Sequence, residues 1–285
     1  MRRIIFNSLN KKEWIENIVF SCQSIDDDIK LEFTDNLSVE KLFPIHLVTL
    51  ACLIEAYNQA DKKVYLDTKN ENLINYLLYD LKFSSHLKIE GCKLESNISD
   101  DNVLCLWRVV NEEKDLYPKR VEDYFRRLSF KDKDLSPISE ALVEVYYNIF
   151  DHAGAKGNAF SLLKFNPKNK ILYVAVSDFG KGIAKSVREN TPNIKNDCIA
   201  IEKAIQDNYT VKSQRHNRGL GLGNILNCTK ITRILCNSVV LISNNYNKNI
   251  FPIHFEYPGT LIYFEIDINK LEKEEYLTSF QLFDF

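Results

Sequence analysis

Glu144, Asn148, Asp151 and His152 stand at i, i+4, i+7 and i+8 in the segment EVYYNIFDHA. On a helix, at 100° per residue, they share a polar stripe roughly 100° wide. Leu142, Val145, Tyr146, Ile149 and Phe150 surround them. A helix that is apolar over most of its surface is buried. A polar stripe on such a helix lines a cavity, because unpaired buried polar groups are costly. The alternative is an ordinary solvent face with long aromatics beside it. A second group, Asp178-Phe-Gly180-Lys-Gly182, follows the run ILYVAVS. A carboxylate at a strand end can accept a hydrogen bond, for example from an exocyclic amine, and two glycines let backbone come close to a ligand. A plain turn uses the same residue types. The third group is Arg218-Gly219-Leu-Gly221-Leu-Gly223-Asn224. A glycine loop that opens a helix turns N–H groups and a positive dipole end towards phosphate. It equally suits a tight helix entry packed against a neighbour. The spacing is not G-x-G-x-x-G, and a long polar segment precedes it in place of a strand, so the dinucleotide fingerprint is excluded. There is no G-x-x-x-x-G-K-[ST] loop either.

The elements that position these groups follow from hydrophobic period and end signals. Ser136-Pro137 opens a helix that the pattern carries to about His152, with Ser at the cap and Pro in the first turn. A shorter helix covers Val121–Phe130, and strands are expected at Ala159–Phe165 and Ile171–Ser177. The polar stretch Lys185–Arg218 holds one helix near Ala200–Asp207. A further helix spans Gly221–Ile231, and strands at Ser238–Ser243, Ile253–Tyr257 and Thr260–Asp267 close the block. Ahead of Tyr117 the chain alternates strand and helix patterns: Ile29–Phe33, a mostly apolar helix Ile45–Gln59, Val64–Asp67 and a helix Asn70–Leu81. Strands are then expected at His86–Glu90 and Val103–Val110, either side of the polar stretch Ser96–Asn102. Strands separated by helices indicate an α/β unit.

Composition bounds the function class. The net charge is 37 − 39 = −2, so no basic excess favours nucleic acid or an anionic membrane. Apolar residues are 45% and charged residues 27%, an ordinary globular balance that argues against disorder and coiled coil. Glycine is scarce at 9 residues, so its two tight clusters have local backbone reasons. The seven cysteines form no C-x-x-C pair, which points to free thiols in a reducing cytoplasm. The N-terminus lacks a signal-peptide core, and no apolar run reaches the ~20 residues of a membrane span.

Taken in order, the three groups resemble the GHKL superfamily of ATP-binding domains, which includes gyrase B subunits, heat-shock 90-type chaperones, sensor histidine kinases and MutL. The match runs from about Val121 to Asp267. The resemblance implies an α/β, α+β-sandwich (Bergerat) fold that binds ATP and Mg²⁺. It implies that Glu144 is the catalytic residue that orients or deprotonates the attacking water. Asn148 holds Mg²⁺ through its amide oxygen, and His152 contacts phosphate. Asp178 reads the adenine amine, and Gly180 and Gly182 admit the base. Gly219, Gly221 and Gly223 wrap the triphosphate, and Thr260 supports the adenine contact. Lys185–Arg218 becomes an ATP lid, with Lys212, Arg215 and Arg218 as phosphate contacts by charge. Residues 29–83 resemble, more loosely, a STAS-like domain in which Phe43-Pro44-Ile45-His46 replaces the Asp-Ser-Ser-Gly helix entry of anti-anti-sigma factors.

The implied organisation is a STAS-like unit at 1–98, a connector at 99–116 and the ATP-binding domain at 117–285. The expected function is a slow, cytoplasmic ATPase acting as a nucleotide-dependent partner switch. Its partners are ATP and a protein, with a homodimer left open and neither nucleic acid nor membrane indicated. A serine/threonine protein kinase of the anti-sigma type and a non-catalytic ATP sensor are the alternatives.

Overall fold

The computed structural model describes residues 1–92, 106–128, 130, 132–153, 158–206, 222–244 and 247–273. The chain begins β1 (Arg2–Phe6), α1 (Lys11–Cys22), β2 (Ile29–Phe33), α2 (Pro44–Gln59), β3 (Val64–Asp67). The three strands pair in parallel in the order β1-β2-β3. Two successive steps in the same direction place both crossover helices on one face of the sheet, and α1 packs on α2. The other face is open and polar, with an Arg3–Glu32 pair and a Lys30–Asp67 pair at 2.6 Å. Asn10 caps α1 by accepting from the N–H groups of Lys12 and Glu13. The sequence pattern missed β1 and α1, because RRIIF is short and α1 is only weakly amphipathic.

After the short helices α3 (Glu71–Asn75) and α4 (Phe83–His86), β4 (Trp107–Val110) starts a second sheet. The remaining elements are α5 (Leu116–Leu128), α6 (Ser136–Tyr147), β5 (Asn158–Asn166), β6 (Ile171–Asp178), α7 (Ile183–Asn190), α8 (Asp197–Ala204), α9 (Leu222–Cys228), β7 (Ile231–Asn244) and β8 (Lys248–Asp267). This sheet is antiparallel, in the order β4-β5-β6-β8-β7. Its edge strand β4 lies in the stretch read from sequence as a connector. The molecule is thus mixed α/β, with one parallel and one antiparallel sheet.

The large sheet is covered on both faces. One apolar cluster joins it to α5–α9 through residues such as Leu142, Val174, Ile201 and Ile262. A second joins its reverse face to α1 and α2 through Leu50, Leu162, Ala175 and Tyr263. Helix α2 therefore lies between two sheets. Twelve of its 16 residues are buried, which is why it is apolar nearly all round. Polar tethers lock this arrangement. Arg108 on β4 donates to both Glu55 oxygens, at 3.2 and 2.5 Å, and to the His86 carbonyl. Lys164 on β5 donates to the Leu42 carbonyl at 3.0 Å. The Lys11 ammonium lies over the rings of Phe43 and Tyr263, and burial lowers its pKa.

Several sequence expectations change. His86–Glu90 is not a strand. Leu87 and Ile89 are buried, and Glu90 N–H donates to the Val64 carbonyl, so the segment only skirts the edge of β3. Residues 103–105 of the next expected strand lie outside the described residues. The helix from Ser136 ends its α form at Tyr147 and widens into a π turn over Asn148–Ala153. The polar stretch after Lys185 holds two helices, α7 and α8, anchored by buried Val187, Ala200, Ile201 and Ala204. The helix after the glycine loop stops at Cys228 rather than Ile231, and the three late strands are two long ones, β7 and β8. No helix among the described residues is long and apolar enough to cross a membrane.

Candidate functional site

Asp178 ends β6 and is fully buried. The antiparallel pairing of β6 with β8 places it directly opposite Thr260. Its Oδ1 accepts the Gly180 N–H at 2.7 Å. Its Oδ2 is buried and finds no hydrogen-bond partner among the described residues, and the same is true of the Thr260 Oγ1. Burial pushes the Asp178 carboxyl up to about 8, against the opposing backbone N–H groups of Gly180 and Thr260. A half-buried carboxylate, Asp197, is neutralised by Arg188 at 2.7 Å and accepts from Ser238. Asp178 has no such cation among the described residues. A buried, unpaired carboxylate oxygen beside an unpaired hydroxyl is the usual mark of a missing hydrogen-bonding partner.

The glycines near Asp178 are explained by packing. Gly182 caps α7 at φ +83°, and a Cβ there would lie 2.5 Å from the Asn237 Oδ1. Gly259 has φ +127°, and its Cβ would lie 2.2 Å from the Asp178 carbonyl. The expectation that Gly182 admits a ligand is therefore corrected: its open side is occupied by Asn237. Asn237, absent from the sequence reading, sits at a bulge in β7 with positive φ. Its amide donates to the Lys181 carbonyl and accepts the Lys185 N–H, so it holds both ends of the loop between β6 and α7. The signal that could have found it is an Asn interrupting the apolar run ILCNSVV. On the other side of β6, Ser177 bonds the Tyr257 hydroxyl at 2.7 Å and the Thr260 carbonyl at 3.1 Å.

Glu144 and Asn148 form a second group on α6 and the π turn that follows it. The Asn148 amide donates to the Glu144 carbonyl at 2.7 Å, which leaves its oxygen available. Burial alone raises the Glu144 carboxyl to about 7, the range of a general base at neutral pH. The π turn packs against α7 and β8, and α6 packs against α9. The structure thus brings Asp178, Gly180, Gly182 and Thr260 together at the end of the sheet, and Glu144 with Asn148 on a helix that packs beside those elements. Gly223 is buried in the first turn of α9. The side chain of His152 lies outside the described residues, as do Gly219, Gly221, Lys212, Arg215 and Arg218. No cluster of three or more His, Cys, Asp or Glu suited to a metal occurs among the described residues. Neither a family model nor a curated protein matches the chain at a significant level.

Proposed function

We propose that the chain is a GHKL-type ATP–Mg²⁺ protein in which a STAS-like N-terminal unit is packed on the reverse of the ATP-binding sheet. The observation that carries this is the register pair Asp178–Thr260, with two buried oxygens that lack partners among the described residues. An amino-purine fits them: its exocyclic amine donates to the carboxylate, and the hydroxyl can donate or accept at a ring nitrogen, directly or through water. The antiparallel sheet with α5–α9 on one face supports the same reading. A lone amide oxygen at Asn148 also fits Mg²⁺, which commonly keeps several waters and takes its other ligands from phosphate. Bound there, the ion neutralises charge on the triphosphate. Glu144, poised near neutrality, accepts a proton from an attacking water, which favours slow hydrolysis over pure sensing. Within the Lys185–Arg218 stretch, α7 and α8 are packed helices, and the rest beyond Gln206 lies outside the described residues.

A thermal-shift series tests this. At ~100 Kd of ATP–Mg²⁺ the protein should gain roughly 2.7 kcal/mol, and Asp178→Asn should lose that gain. Glu144→Ala should keep the gain and stop phosphate release. Label moving from the γ-phosphate to a protein hydroxyl would favour the kinase alternative. No shift at all, or an equal shift in Asp178→Asn, rejects the nucleotide reading.

A further inference from the structure

A cavity of about 330 Å³ opens where the C-terminal end of α1 meets the loop that leads into α7 and the bend before Thr260 in β8. It shares only the Gly180 backbone with the groups assigned to nucleotide above. Its volume is at the low end of the roughly 300–1,000 Å³ typical of ligand sites, which suits a molecule of amino-acid size. Pro258 supplies an apolar side, the buried Val19 and Tyr257 lie beneath it, and Gln23 is exposed beside it. Three charged residues are among its lining: Lys181, Lys185 and Glu256. Lys181 is spoken for, since its ammonium pairs with Glu189 at 2.6 Å. The Lys185 ammonium makes no hydrogen bond or ion pair among the described residues, and the Glu256 carboxylate likewise has no ion-pair partner there. One free cation and one free anion therefore border the same half-apolar space.

We propose that this cavity is a binding site for a small zwitterion with an apolar side chain, an α-amino acid. The carboxylate goes to Lys185, the ammonium to Glu256 and the side chain against Pro258, over Val19 and Tyr257. A purely anionic or purely cationic molecule of the same shape leaves one of the two charges unanswered. Both charges are exposed, so each adds only a modest factor, and burial of the side chain supplies the rest.

Calorimetric titration of the full chain with L-phenylalanine, 3-phenylpropionate and 2-phenylethylamine tests the proposal, without ATP, so that its outcome is independent of the nucleotide reading. L-Phenylalanine should bind at one saturable site, and each single-charge analogue about fivefold more weakly, as loss of one exposed ion pair implies. Lys185→Glu should weaken L-phenylalanine by a similar factor or more, and Gln23→Trp should block the mouth. Both positions are exposed, so either variant can serve if the other misfolds. Absence of saturable L-phenylalanine binding at millimolar concentration, equal binding of all three probes, or full affinity in a folded Lys185→Glu or Gln23→Trp protein would overturn it.

Discussion

Two of the places where the molecule buries polar side chains treat them in opposite ways. In the N-terminal unit, His46 is buried within α2 with both ring nitrogens engaged: Nδ1 accepts the Phe43 N–H at 3.0 Å, and Nε2 meets the Leu9 carbonyl at 3.2 Å. Beside it, Trp14 Nε1 donates to the Thr49 Oγ1, which in turn donates to the Ile45 carbonyl at 2.8 Å. At the end of β6 in the large sheet, Asp178 and Thr260 are equally buried, yet each keeps an oxygen with no partner among the described residues. The first arrangement is complete, so its role is to specify how α2 is seated. The second is incomplete, and an incomplete buried network costs stability unless a ligand finishes it.

Three measurements sharpen or break this contrast. The largest effect is expected at His46. Its replacement by Ala removes a packed ring and strands the Phe43 N–H and Leu9 carbonyl, at a cost of about 2–4 kcal/mol in urea unfolding. A cost below ~1 kcal/mol would remove the structural role claimed for it. Next comes the pH profile of the empty protein. His46 is held down to about 4 by burial, so its contribution is present above the unfolded value near 6.5 and is lost as pH falls towards 4. Asp178 and Glu144 are raised to about 8 and about 7, so their contribution is complete in acid and is lost as pH rises from roughly 4 towards those values. Asp178→Asn should therefore flatten the loss of stability on the alkaline side and raise stability at pH 8 by about 1–3 kcal/mol. An unchanged profile would show that Asp178 is not a strained carboxylate. The smallest effect compares two buried threonines. Thr49→Val leaves the Trp14 N–H without its acceptor and should cost about 1–2 kcal/mol, whereas Thr260→Val removes an unpartnered hydroxyl and should be neutral or stabilising by up to ~1 kcal/mol. The reverse order would place the complete network at the sheet end.

Much of this was legible in the chain. The apolar pattern of α2, the Ser136-Pro137 start of α6 and the strand ends at Ser177 and Asp267 are local signals that the structure meets to within a residue, although Leu135 and not Ser136 takes the cap position. The π turn at Asn148 was not legible, because its residues keep helical spacing and only a change in hydrogen bonding distinguishes it. The His86–Glu90 error has the same origin: an alternating pattern reports one buried side, and a segment skirting a sheet edge buries one side as a strand does. Asn237 shows in the sequence only as a break in an apolar run, because its role depends on the loop it clamps, 52 residues from its partner Lys185.

By itself, the sequence determined which residues carry charge, amide or glycine in each of the three motifs, and which segments must bury an apolar face, since period and composition are properties of neighbouring residues. Only the tertiary structure decided that Asp178 faces Thr260 across β6 and β8, that Gly182 makes room for Asn237, and that α2 is buried between two sheets. Those outcomes depend on strand register and on packing between residues far apart in the chain, and no local pattern encodes the free energy of meeting a distant partner.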